Sequence, residues 1–171
     1  MEIERKFYIT NREKVNELIH EYNQSKKTII QDYIYSDIFT AIRKRKIVNQ
    51  DTIKYVYTIK TGRKGYSVNE IENEITEEQY NSINKDLNRR TIEKDRYCIP
   101  YENNLVIELD VFHGDYEGVV FAEIEFETEE QAVNAKLPNW FGTDISGMIT
   151  NGMMSKKHID IDEFIRNKMG E

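Results

Sequence analysis

Cysteine is almost missing from this chain: there is one, Cys98, in 171 residues, alongside two prolines and one tryptophan. A lone thiol has no partner for an internal disulfide, so a stapled secreted scaffold is excluded and a reducing, cytoplasmic setting is expected. Long apolar runs are missing as well, so neither a membrane-spanning helix nor a secretory leader is expected. Nor is there a surplus of positive charge. Lys and Arg number 24 against 31 Asp and Glu, for a net charge of −7. Nucleic-acid binding rests on a basic excess, so neither nucleic acid nor membrane is expected as a partner. No repeat and no Gly, Pro or Ser-rich linker divides the chain, and residues 1–171 are read as one domain.

What the chain does have is period-two alternation. Eight stretches show it, at about 2–9, 29–35, 41–48, 53–60, 67–75, 92–99, 105–112 and 119–127, and each is predicted to be a strand. Turn-forming clusters such as Asn49-Gln50-Asp51 and His113 to Gly118 separate them, short enough to make neighbours antiparallel. Capping-box spacings predict short helices. Thr10 with Glu13 precedes Val15, Leu18, Ile19 and Tyr22; Thr76 with Gln79 precedes Tyr80, Ile83 and Leu87; Thr128 with Gln131 opens a third. A last helix is predicted from Asp160, with Ile161, Phe164, Ile165 and Met169 on one face.

The strands carry their charges in an unusual way. In 119–127, Val120, Ala122, Ile124 and Phe126 share one face while Glu123, Glu125 and Glu127 share the other. Strand one sets Glu2, Glu4 and Lys6 opposite Ile3, Phe7 and Ile9, and 105–112 sets Glu108 and Asp110 opposite Ile107, Leu109 and Val111. A hydrated outer face is the ordinary meaning of such alternation in any single strand. Repeated over many strands it stacks like charges that repel by about 0.2–1 kcal/mol per directly opposed pair. Cations at matching spacing, Arg43-x-Arg45 and Lys94-x-Arg96, with Lys6 and Lys60, answer them if the strands close into a barrel with the charged faces inward. The expectation is an α+β fold: an eight-stranded closed antiparallel barrel, apolar outside and clad by the short helices. Its bore suits a strongly anionic ligand that carries divalent cations.

Glu2-x-Glu4-x-Lys6 on a first strand resembles the opening of the CYTH, or triphosphate tunnel metalloenzyme, family. The likeness continues in order through Gln31-Asp-Tyr33, Arg43-Lys-Arg45, Thr58-Ile-Lys60, Glu70-Ile-Glu72, Lys94-Asp-Arg96, Glu108-Leu-Asp110, Glu123-Ile-Glu125 and Trp140-Phe-Gly142. The resemblance, closest to the small bacterial inorganic triphosphatases, implies a tunnel acting on tripolyphosphate or nucleoside triphosphates with Mg²⁺ or Mn²⁺. By motif position it implies Glu2, Glu4, Asp110, Glu123 and Glu125 as metal ligands. Lys6, Arg43, Arg45, Lys94 and Arg96 fall at phosphate-clamp positions, and Tyr33 and Lys60 at positions that orient or activate the attacking water. Two departures stand out. Val68 replaces an Arg common in relatives, and after Trp140 the segment is shortened, with Asp144-Ile-Ser146 and Asn151 retained but Ile149 where a Tyr is usual.

Two other activities share these motifs. A class IV adenylate cyclase would direct the ribose 3′ hydroxyl at the α-phosphorus of ATP, and a non-catalytic polyphosphate or nucleotide sensor would keep the clamp without turnover. His20, His113 and His158 stand apart in sequence and are read as surface or packing residues, and the Lys156-Lys157 pair is left outside the site. The oligomeric state is open, a homodimer included.

Overall fold

The computed structural model describes residues 1–170. Eight antiparallel strands form it: β1 (Glu2–Tyr8), β2 (Lys27–Ser36), β3 (Thr40–Asn49), β4 (Thr52–Lys64), β5 (Ser67–Ile75), β6 (Ile92–Pro100), β7 (Val106–Phe112) and β8 (Val120–Phe126). They close into a barrel with the ring order β1-β5-β4-β3-β2-β6-β7-β8. All eight predicted strands are present, and β4 runs four residues beyond its predicted end at Lys60. Around them lie α1 (Arg12–Glu21), α2 (Glu77–Ser82), α3 (Glu129–Asn134), α4 (Asn151–Lys156) and α5 (Ile161–Lys168).

The alternation puts apolar side chains outside, as expected. Ile3, Phe7, Leu109, Ala122 and Ile124 are buried beneath Val15 and Leu18 of α1 and Ala132 of α3. Cladding is one-sided, however. On the outer faces of β4 and β5, Ile53 and Ile71 remain 54% and 61% exposed, although α2 packs Tyr80 on Tyr55 of β4.

Several helix details differ from the expectations. Asn11, not Thr10, caps α1, its side chain accepting from the Lys14 amide. Thr76 and Gln79 do form a capping box, but α2 stops at Ser82 and Ile83 is extended. There Lys44 Nζ takes the carbonyls of Tyr80 and Ile83 at 2.9 and 2.7 Å, a lysine satisfying the C-terminal acceptors that another turn would have used. Leu87, read as part of that helix, is 87% exposed. Neither an apolar period nor a capping box announces α4: Thr150 caps it, but Met153 stands where Glu or Gln would complete the box.

Closure of the barrel is uneven. β1 and β5 pair only at Glu2↔Val68 and Ile3↔Ser67. Farther along β1, residues 143–145 take over: the Tyr8 amide donates to Thr143 and the Ile145 amide to Lys6, each at 2.8 Å. Gly142 permits this approach, since a Cβ there would lie 2.2 Å from the Tyr8 carbonyl oxygen. Beyond it, Ile145, Ile149, Met154 and Ile161 pack on Ile92, Phe112 and Phe121 and plug one side of that barrel end. Ile149, at the position where the family has Tyr, is therefore a core residue of the plug. Among the described residues, no helix is long and apolar enough to cross a membrane.

Candidate active site: a charged bore through the barrel

Ring order fixes what faces what. β3 and β8 lie four places apart in a ring of eight, so Arg43 and Arg45 look across the bore at Glu123 and Glu125. A cavity of about 430 Å³ opens between them. Every residue given a metal, clamp or water-orienting role from the sequence lines it except Asp110, which is fully buried behind the wall. A second cavity, about 500 Å³, enters from the other end and shares Arg45, Arg96, Glu72 and Glu108 with the first. The bore thus runs from one mouth to the other.

The two cation pairs sit in different surroundings. On β6, Arg96 grips Asp110 with Nε at 2.7 Å and Nη2 at 2.8 Å, and reaches Glu108 at 2.8 Å and Glu123 at 3.0 Å. Lys94, 1% exposed, meets the same Asp110 at 2.7 Å. Burial works against ionisation of Asp110 and Glu123, yet the cations beside them outweigh it. Arg96 and Lys94 hold Asp110 below the usual carboxylate range, and Lys6, Arg96 and Lys94 hold Glu123 far below it. Burial pushes the Lys94 ammonium down to about 7, with Asp110 opposing.

On β3, by contrast, the register partners are neutral: Tyr33 and Thr58 for Arg43, Gln31 and Val56 for Arg45. Among the described residues, neither arginine has a carboxylate within ion-pair distance. Arg45 donates only to Gln31 Oε1, at 2.5 Å, and burial followed by the Arg43 and Arg96 charges lowers it to about 10. Arg43 Nε is buried with no acceptor at all.

The acidic wall shows the complementary deficit. Lys6 pairs with Glu123 at 3.5 Å, and Lys60 bridges Glu2 at 2.8 Å and Glu70 at 3.5 Å. Glu4 and Glu125 are direct cross-strand partners and, among the described residues, have no cation within ion-pair distance. Burial raises both carboxyls above their ordinary values, and neighbouring carboxylates push the same way: Glu123 on Glu4, and Glu2 and Glu108 on Glu125. Among the described residues no three His, Cys, Asp or Glu side chains are gathered closely enough to enclose a metal ion. The donor set is nonetheless all carboxylate oxygen, with two members lacking a counter-charge, which fits a hard divalent cation.

Tyr33 and Lys60 share the cavity but no hydrogen bond. Tyr33 Oη accepts from Gln31 Nε2 at 2.7 Å, while Lys60 is held by Glu2 and Glu70. Val68, opposite Glu2, is buried in the lining. Sequence reasoning omitted Glu70, Glu72 and Glu108 from the site, although each lies two residues from a charged residue on the same strand face. Arg63 and Lys156, both at the mouth, had no such signal: the first lies on the extension of β4, the second on α4. The histidines stay out of the bore. His158 stacks on Tyr116, and His113 pairs with Asp95 at 2.8 Å.

A closed barrel with an acidic wall facing a basic one, each short of counter-charge, defines a tunnel protein shaped for a polyanion and its cations. No family model matches the chain. It is 34% identical over 149 residues to an inorganic triphosphatase of Acetivibrio thermocellus, spanning 85% of this chain and 86% of that one. The chain belongs to the inorganic triphosphatase family of CYTH, or triphosphate tunnel, proteins. Solved structures share the fold. The inorganic triphosphatase NE1496 superposes with a TM-score of 0.57 at 23% identity, over 92% of this chain and 95% of that one. A Hippeastrum protein described as a putative adenylyl cyclase with a dominant triphosphatase activity gives 0.57 at 15% identity, over 100% and 97%.

Proposed function

We propose that the chain is a metal-dependent triphosphatase that cleaves a phosphoanhydride bond of a triphosphate lying in the bore. The observation that carries this reading is the pair Arg43 and Arg45, two buried guanidinium groups without a carboxylate, one with a donor nitrogen left unbonded. A buried N–H without an acceptor costs about 1–3 kcal/mol and calls for an explanation; phosphoryl oxygens provide one. Glu4 and Glu125, with Glu2 and Glu123 beside them, are the residues to hold Mg²⁺ or Mn²⁺. Held there, a divalent ion would supply positive charge to offset the carboxylates and to polarise the phosphoryl oxygens.

The chain's own residues supply the rest. Arg43 and Arg45 neutralise the equatorial oxygens, and Lys6 adds a cation already braced by Glu123. Tyr33, whose oxygen accepts from Gln31, keeps its proton for a group in the bore, and Lys60 is fixed between two carboxylates. Together they orient the attacking water. Its oxygen bonds to the terminal phosphorus as the bridging P–O bond breaks, the departing diphosphate (pyrophosphate or a nucleoside diphosphate) takes the bond's electrons, orthophosphate forms and one proton is released. Asp110, with both oxygens on Arg96 and Lys94, positions those cations. The substrate is a small molecule, inorganic tripolyphosphate or a nucleoside triphosphate, and the lone thiol is in keeping with a cytoplasmic setting.

The test is a panel of tripolyphosphate and ATP, each with Mg²⁺ and with Mn²⁺, read by phosphate release and product identity. Orthophosphate release that needs the metal and disappears in Glu4→Ala and Glu125→Ala supports the reading. Cyclic AMP as the main product from ATP would replace it with the cyclase, and tight metal-dependent binding without any product would replace it with the sensor.

A further inference from the structure

One side chain of α4 enters the polar interior of the barrel. Asn151 Oδ1 accepts from Lys94 Nζ at 2.9 Å and from Gln31 Nε2 at 3.3 Å. Gln31 Nε2 also donates to Tyr33 Oη at 2.7 Å, while its Oε1 accepts from Arg45 Nε at 2.5 Å. Arginine and lysine only donate, so both amide oxygens must face them, and the amide orientations follow without choice. Gln31, Asn151, Lys94, Arg45 and Tyr33 are all buried.

Two independent features seat α4 so that Asn151 arrives there. Gly152 packs so closely on β2 that a Cβ would come within 2.9 Å of Ser36 Oγ and 3.5 Å of the Tyr33 ring. Arg89, buried in the loop before β6, donates to Ser36 Oγ at 2.6 Å and the Ser36 carbonyl at 3.0 Å. It also reaches the Gly152 carbonyl and Ser155 Oγ at 3.3 Å each. Helix and strand end are thus tied by one guanidinium.

We propose that Asn151 is a positioning residue: its side-chain carbonyl fixes Lys94 and Gln31, Gln31 in turn fixes Arg45 and Tyr33, and the docking of α4 on β2 thereby sets the clamp. This rests on the triphosphatase reading for its kinetic consequence but not for its structural one. Undocking α4 withdraws the acceptor shared by two strands. Gln31 is then free to turn, and Arg45 loses the single hydrogen bond that aims it.

The experiment compares Asn151→Leu, which keeps the bulk and removes the acceptor, with Asn151→Asp, which keeps an acceptor oxygen. Three properties are measured in the intact protein: thermal midpoint, kcat and KM for tripolyphosphate with Mg²⁺, and proton exchange at Arg45 Nε by ¹⁵N NMR, assigned with Arg45→Lys. Asn151→Leu is expected to lose about tenfold or more in kcat, as misplaced reacting groups do, and to exchange the Arg45 Nε proton faster. Asn151→Asp is expected to keep the slow exchange and the larger share of kcat. A packing role gives the reverse order, with Leu tolerated and Asp not, and that order overturns the proposal. If Asn151→Leu does not fold, Gly152→Ala displaces α4 with Asn151 intact. Faster Arg45 exchange in that variant supports the coupling; unchanged exchange and rate refute it. If the native protein turns over no triphosphate, the functional reading fails, while Arg45 exchange still decides the positioning role.

Discussion

Arg43-x-Arg45 on β3 and Lys94-x-Arg96 on β6 are the same pattern written twice, two cations on one strand face pointing into one bore. Their neighbours make them opposites. β6 lies beside β7, whose register sets Asp110 against Arg96, and Glu108 and Glu123 complete the shell. β3 lies between β2 and β4, which offer Gln31, Tyr33, Val56 and Thr58. One pair is saturated and holds the barrel's charges in place; the other, without a carboxylate at ion-pair distance among the described residues, is the pair proposed to meet the ligand. The difference teaches that a cation's role in such a bore is set by its cross-strand partner more than by its own identity, because buried charge is stable only when matched.

The contrast is most sharply broken by removing Arg96. Arg96→Ala strands Asp110 and weakens the hold on Glu123, and losing one partner of a buried pair costs about 3–5 kcal/mol. A lower midpoint in chemical denaturation is the expected outcome; a variant as stable as the native protein would erase the distinction between the pairs. Next in size, Arg43→Ala and Arg45→Ala are expected to cut kcat/KM for a triphosphate by about 10²–10³-fold, the usual effect of deleting one preorganised donor. The thermal midpoint of Arg45→Ala should hold steady or rise, since Arg45 is repelled by Arg43 and Arg96.

Acid sharpens the same comparison. Asp110 and Glu123 titrate below their ordinary values, so their contribution is complete above those values and is lost as pH falls through the depressed ones. Stability should fall below about pH 4, and Arg96→Ala should flatten that fall while Arg43→Ala should not. The smallest effect belongs to a pair outside the bore. His113 titrates above its ordinary 6.5, chiefly through its hydrogen bond to Asp95, with partial burial opposing. Its contribution is complete below that value and fades as pH rises through the raised one. At this exposure it amounts to less than about 1 kcal/mol, and Asp95→Asn should reduce it to what Glu117 supplies, without changing turnover.

How much of this was legible beforehand follows from the same residues. Strand faces were, because a period of two needs no tertiary information: Glu123 and Glu125 had to share a side whatever lay opposite. Closure into a barrel was legible from the need to neutralise those faces. Register was not. Nothing in the order of residues says that Arg96 meets Asp110 while Arg45 meets Gln31, because hairpin loops and bulges, such as the shift between Tyr33 and Tyr35, decide it. α4 stayed hidden for want of a capping box, with Met153 at the third helical position, and with it Asn151's place among the lumen groups and Lys156's place at the mouth. The end of α2 was misplaced because a lysine from β3, distant in sequence, took over its last carbonyls.

The narrow seam of β1 bears on how the protein comes into being. Ile3 meets Ser67 on one side and Phe126 on the other, and Lys6 meets Ile145. The strand that carries Glu2, Glu4 and Lys6 therefore stays unplaced until most of the chain has emerged from the ribosome, and contacts of such long sequence separation make for slow assembly. A nascent fragment ending before residue 120 lacks β8, and with it Glu125 and Glu123, the cross-strand partners of Glu4 and Lys6.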